Sequence, residues 1–157
     1  MNGGTMILAL VFACGLLAGF GIYAIIAPPP DPERIALYTD DAPEPIGPYS
    51  QAVQSGDYLF ISGQIGLDPV TGNLSGTAAG EARQAMENLR AILAEGGLDF
   101  PDVVQTRIYL TDLADFDAVN AVYAEYFNEP YPARATMQVA ALPKGSRVEI
   151  EMIANVR

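Results

Sequence analysis

"AGEARQAMENLRAILAEGGLDFPDVVQTRIYL", residues Ala79–Leu110, changes its hydrophobic period part-way along. Up to Glu95 the apolar side chains of Ala82, Ala85, Met86, Leu89, Ile92 and Leu93 recur at three- and four-residue intervals, which is one face of a helix. Gly96-Gly97 then supplies a C-terminal stop, because glycine accepts the left-handed conformation that ends helices. From Val103 to Leu110 the β-branched and aromatic content predicts a strand. A helix feeding a strand through a short loop points to a layered fold with helices against a sheet.

The flanking sequence extends this pattern. Gln51–Gln54 and Tyr58–Ser62 read as short strands around Ser55-Gly56-Asp57, a hairpin signal. Residues 68–73, DPVTGN, read as a turn-rich loop. Thr111 and Asp112 can cap a second helix running to about Phe127, with Phe116, Val119, Tyr123, Tyr126 and Phe127 on its apolar face. Ala135–Ala141 and Arg147–Val156 read as two strands joined through Leu142-Pro-Lys-Gly145. The order strand, strand, helix, strand, helix, strand, strand predicts an α+β fold: a mixed sheet with two helices packed on one face. No third helix is available for the other face, so self-association through that face is expected.

The N-terminal region has a different composition. Residues 6–27, MILALVFACGLLAGFGIYAIIA, carry no charge and are long enough to cross a bilayer core. They read as a transmembrane helix, with residues 1–27 as the anchor. A cleaved signal peptide is the rival reading, but the leading MNGGT has no lysine or arginine and Ala24-Ile-Ile-Ala27 is a poor cleavage site. Gly15 and Gly19 form a GxxxG pattern, which permits close approach of a neighbouring helix or reflects the ordinary frequency of glycine in membrane helices. Residues 28–37 read as a proline-rich acidic linker and residues 38–157 as the globular domain. Arg34, the only cation near either end of the apolar stretch, favours a single-pass membrane protein with its globular domain cytoplasmic.

Charge and composition exclude several functions. The net charge of -11 repels nucleic-acid phosphates, so no nucleic-acid partner is expected. There is no histidine, which removes the commonest general base and the commonest metal ligand. Cys14 is the single cysteine, so no internal disulfide and no cysteine/histidine zinc site can form. No metal site is expected. Chemistry must rest on carboxylates, arginine, lysine, tyrosine, hydroxyls, backbone amides or water.

Arg134 stands out in this acidic chain. It follows Pro132-Ala133 at the start of an alternating run, where it shares a face with Thr136 and Gln138. In the last strand Val148, Ile150 and Met152 form an apolar face opposite Arg147, Glu149 and Glu151. If the two strands pair, Arg134 reaches a carboxylate across the hairpin, and spacing alone favours such an ordinary ion pair over a substrate anchor. Asn120 falls on the apolar face of the second helix and needs polar partners there. Tyr49, in Gly47-Pro-Tyr-Ser50, fits either core or site. Gly63, in Ser62-Gly-Gln64, permits close backbone approach of a ligand or marks a bulge.

Taken together, Gly47-Pro-Tyr-Ser-Gln-Ala52, Ser62-Gly-Gln-Ile65, Asp68-Pro-x-Thr-Gly72, Asn120-x-x-Tyr-x-x-Tyr-Phe127, Pro132-Ala-Arg134, Leu142-Pro-Lys-Gly145 and Val148-Glu-Ile-Glu151 resemble the RidA/YjgF family of enamine/imine deaminases. The resemblance implies a chorismate-mutase-like fold and a homotrimer with clefts between subunits. It implies cofactor-free hydrolysis of small carboxylate-bearing enamines and imines, such as 2-aminoacrylate, to 2-keto acids and ammonia. It further implies that Arg134 grips the substrate carboxylate and Glu149 orients water and handles protons. Tyr49 and Asn120 would line the pocket, and the backbone at Gly63 and Thr136 would touch substrate. Ala135 and Gly66 depart from the residues frequent at those positions and bear on substrate range. Two other functions compete: a non-catalytic accessory subunit of an integral-membrane complex, motivated by the anchor, and a sensor that binds small carboxylates without turnover.

Overall fold

The computed structural model describes residues 33–156. The apolar segment 6–27 and the first part of the proline-rich linker lie outside the described residues. Among the described residues, no helix is long and apolar enough to cross a membrane.

The strands are β1 (Arg34–Leu37), β2 (Ala52–Ser55), β3 (Tyr58–Ile65), β4 (Val103–Leu110), β5 (Ala133–Gln138) and β6 (Val148–Asn155). The helices are α1 (Ala78–Glu95) and α2 (Phe116–Ala124). The strands form one six-stranded sheet in the order β1-β2-β3-β6-β4-β5. Only the β4–β5 pair is parallel; the other neighbours are antiparallel.

The expected α+β layering is present. α1 starts at Thr77, whose hydroxyl accepts the Gly80 backbone N–H, and ends at Gly96-Gly97, with Gly97 in the left-handed region. A cap of this kind is worth about 1 kcal/mol. Its apolar face is buried throughout: Ala82, Ala85, Met86, Leu89, Ile92 and Leu93 are at most 1% exposed. Each of the large side chains among them contributes roughly 1.5–3 kcal/mol by leaving water. They pack on the inward-facing residues of the sheet, among them Leu59, Ile61, Ile108, Ile150 and Met152. β6 alternates buried and half-buried along its whole length, as its sequence predicts.

The structure corrects four expectations. Arg34–Leu37, assigned to the linker, is an edge strand paired with β2, and Leu37 packs against the core. A four-residue strand is too short to show a period, and its pairing is a tertiary matter. The second helix is shorter than expected. Asp112 caps a 3₁₀ turn, Leu113–Asp115, and the α-helix proper spans Phe116–Ala124. Its face is also wetter, because Phe116 is 37% exposed. Finally, β5 and β6 do not form a hairpin. β5 returns parallel to β4 through α2, the usual crossover for parallel neighbours. The chain then passes through Pro143–Gly145 and inserts β6 between β3 and β4.

Candidate active site

The new strand order rules out an Arg134 ion pair across a hairpin. Among the described residues, Arg83, Arg90, Arg107 and Arg147 each pair with a carboxylate: Glu125, Glu87, Glu151 and Asp115 respectively. Arg134 has no such partner within 4.0 Å among the described residues. Its guanidinium instead lies over the ring of Tyr123, 4.7 Å from the centroid. Tyr123 is 4% exposed, and its hydroxyl shares a 2.9 Å hydrogen bond with Thr106. Burial pushes the Tyr123 phenol upward, so the ring stays neutral as a platform for the cation.

A cavity of about 500 Å³ opens beside this stack, lined by Asn120, Tyr123, Ala124, Tyr131, Pro132 and Arg134. Thr136 joins Asn120 and Arg134 around an adjoining depression. Asn120 is therefore half-buried at a pocket rather than sealed in the core. The predicted alternation of β5 holds, since Arg134 and Thr136 share the helix-side face.

Glu149 lies elsewhere. A second cavity, of about 390 Å³, contains Tyr49, Gly63, Lys144 and Glu149 in its lining. In β4, Thr106 pairs with Arg134 and Tyr109 pairs with Glu149. Residues three apart in a strand point to opposite faces, so Arg134 and Glu149 lie on opposite sides of the sheet. Within one chain the structure gathers Asn120, Arg134 and Thr136 on one side, and Tyr49, Gly63 and Glu149 on the other.

The acidic half is built around an irregularity in β3. Ile61 pairs with Met152 but Gln64 pairs with Ile150, so Ser62 and Gly63 together face Glu151. Glu149 is half-buried beside this bulge. Burial, and to a lesser extent the neighbouring charge of Glu151, raise its carboxyl above the ordinary range. Glu151 itself is held by Arg107 on β4. Tyr49 is 47% exposed, and its hydroxyl accepts the Ile46 backbone N–H at 3.2 Å, fixing the cavity rim.

Several residues that shape this site escape a reading of periodicity. Gln51 is 1% exposed; its amide bonds to Thr39, Ala42 and Pro43 and pins the rim segment ahead of Tyr49. Asn88 on α1 donates to the carbonyls of Ile65 and Leu67 and holds the chain leaving β3. Glu81, also on α1, accepts the Arg147 backbone N–H at 2.6 Å and anchors the end of the loop that carries Lys144. Lys144 adopts a left-handed φ of 55° at the cavity rim. Each is a polar residue in or beside an apolar pattern, a signal that does not say which segment it will hold. Gly66 also has a local cause. A Cβ there would meet the Glu81 backbone at 2.3 Å, so α1 leaves room for glycine alone.

These features define an α+β protein whose two helices back a mixed sheet, with the Arg134 cavity on one face and the Glu149 cavity on the other. The chain belongs to the family described as Endoribonuclease L-PSP, the RidA/YjgF group, whose sequence model matches residues 39–156. Protein DfrA of Myxococcus xanthus is 56% identical over 124 residues, covering 77% of this chain and 95% of DfrA. The human 2-iminobutanoate/2-iminopropanoate deaminase is 53% identical over 122 residues, covering 77% of this chain and 89% of the human protein. Among solved structures, RidA from an Antarctic Psychrobacter matches with a TM-score of 0.76 and 48% identity, covering 78% of this chain and 99% of that one. E. coli TdcF with bound serine matches with a TM-score of 0.75 and 40% identity, over 78% and 99% of the two chains.

Proposed function

We propose that this protein hydrolyses small carboxylate-bearing imines, and enamines after tautomerisation, to 2-keto acids and ammonia. The observation that carries the reading is Arg134: a cation held over Tyr123 at an open cavity, with no carboxylate partner among the described residues. A planar guanidinium so placed offers two parallel donors to a carboxylate. The net charge of -11 argues against a ribonuclease reading of the family's name.

The chemistry needs one water. Water adds to the imine carbon, and the C=N π electrons move to nitrogen. Glu149 takes a proton from the attacking water and passes it to nitrogen. The resulting carbinolamine collapses: its hydroxyl proton is passed to nitrogen, the C–N bond breaks, a C=O forms, and ammonia leaves. Arg134 holds the substrate carboxylate so that the imine carbon lies within reach of this water. Asn120 and Tyr49 line the bound substrate, and Gly63 and Thr136 bring backbone close to it.

A small substrate cannot touch Arg134 and Glu149 of the same chain, because they face opposite sides of the sheet. A homotrimer, in which the cationic half of one copy meets the acidic half of the next, completes the site in this reading. The residues of segment 6–27 would tether the trimer to a membrane. The deaminase names of relatives about half identical to this chain favour an enzyme over an accessory subunit.

The test is keto-acid release from 2-aminoacrylate generated in situ by a dehydratase. Acceleration over the uncatalysed rate, lost in folded Arg134→Ala, is expected. A wild-type protein with no acceleration, or an Arg134→Ala variant at full rate, sinks the reading.

A further inference from the structure

The acidic half-site contains a contact that backbone access to substrate does not explain. A Cβ placed on Gly63 would lie 2.0 Å from Glu149 Oε1, 2.8 Å from Cδ and 3.0 Å from Cγ. These three nearest atoms all belong to one side chain, and two of the three distances fall well inside van der Waals contact. The Glu149 carboxylate therefore occupies the space that any other residue at position 63 would fill. Gly63 has an ordinary negative φ, so glycine is not required there by the turn of the backbone.

Nothing else fixes the carboxylate. No hydrogen-bond donor to Glu149 is found among the described residues. Several charged or titratable groups lie around it: Glu151 two residues along its own strand, Arg107 and Tyr109 on β4, and Glu44, Tyr49 and Lys144 around the cavity. Arg107 is committed to Glu151. The glutamate is thus positioned by shape. The bulge at Ser62-Gly63 carries the β3 backbone past Glu151, and the side chain of Glu149 folds over the bare Cα of Gly63.

We infer that Gly63 is a positioning residue for Glu149, and that its missing side chain sets where the reactive carboxylate stands. The inference rests on the proposed deaminase reading for its catalytic consequence, but not for its geometry. The atom displaced by a methyl group is the far end of a flexible side chain, so Gly63→Ala should fold and move the carboxylate outward rather than break the sheet.

Three measurements test it. First, Gly63→Ala should lower kcat about 100-fold, the usual cost of misplacing a catalytic group by about an ångström, with KM nearly unchanged. Second, the defect should disappear in a Glu149→Asp background. The shorter acid has no atom where Oε1 lies, so the 2.0 Å overlap is gone and the double variant should lie close to Glu149→Asp alone. Third, NMR titration of the Glu149 carboxyl carbon should show its midpoint falling toward the ordinary range in Gly63→Ala, because the displaced group gains water.

Unchanged kcat in folded Gly63→Ala overturns the inference. So does a rise in KM that persists in the Glu149→Asp background, which would mean that the added methyl group obstructs the substrate itself rather than the carboxylate. If Gly63→Ala fails to fold, adding Glu149→Asp should restore folding, and a double variant that still fails overturns the claim. If the wild type shows no deaminase activity, the functional reading falls. The titration arm still decides the positioning claim, since an unmoved midpoint defeats it.

Discussion

Arg134 on β5 and Glu149 on β6 flank the same strand, β4, and face opposite sides of it. Arg134 stands on an exposed edge strand, yet specific partners hold it. Tyr123 lies beneath the guanidinium, Thr106 fixes the Tyr123 hydroxyl, and Asn120 stands across the cavity. Glu149 stands on a central strand, yet its carboxylate has only shape to hold it, between a bulge and a bare glycine. The two proposed roles ask for different supports. A clamp must keep one orientation toward a bidentate ligand, which stacking provides. A group that exchanges protons must take one up and give it back without being tied down, and partial burial without donors, which raises its carboxyl, favours that.

The largest effect should come from removing the clamp. Arg134→Ala is expected to lower kcat/KM about a thousandfold, and Arg134→Lys should recover only part of the loss because lysine lacks the planar fork. Equal activity of the lysine variant would break the contrast between a stacked fork and a simple charge. Glu149→Gln comes next, at roughly a hundredfold or more in kcat. In the wild type the rate should fall as pH drops through the raised Glu149 pKa, an acid limb lying above the ordinary carboxylate range. That limb should vanish in the variant.

Mixing the two inactive variants probes their separation. If copies join the halves, co-refolded Arg134→Ala and Glu149→Gln chains regain native pairs at about one site in four. No recovery in confirmed mixed oligomers would confine each site to one chain. A smaller effect is expected at the platform. Tyr123→Phe keeps the ring but leaves the buried Thr106 hydroxyl without its partner, so denaturant unfolding should show a loss of about 1 kcal/mol with little change in rate. The smallest effect concerns Glu149 and stability. A carboxyl raised in the folded state favours folding when protonated, and that contribution is lost as pH rises through the folded pKa. Glu149→Gln should therefore stabilise the fold slightly at neutral pH, by less than about 1 kcal/mol after solvent screening, read as a small rise in Tm that vanishes in acid.

The sequence was most legible where a long period dominates. The stripe on α1 and the alternation in β6 place those elements and their buried faces almost to the residue, and composition places the ends of β4. What it withheld was adjacency. Leu142-Pro-Lys-Gly145 looks like a hairpin connection, and nothing local says that β6 will pass β5 and enter between β3 and β4. Alternation assigns Arg134 to one face of its own strand and Glu149 to one face of another. Whether those are the same face depends on strand order and register, which are tertiary properties. The face each residue takes on its own strand was readable for that reason, and the partition of the cavities across the sheet was not.

The central place of β6 bears on how the molecule is made. Of the described strands, Val148–Asn155 is the last to leave the ribosome, and among them it joins β1-β2-β3 to β4-β5. Until it emerges, the nascent chain holds two partial sheets, each with an open edge of the kind that recruits other chains. Completion of this sheet is thus deferred until β6 emerges. A chain interrupted before Val148 would hold two sticky partial sheets rather than a slightly shortened domain, a natural substrate for chaperones and proteases.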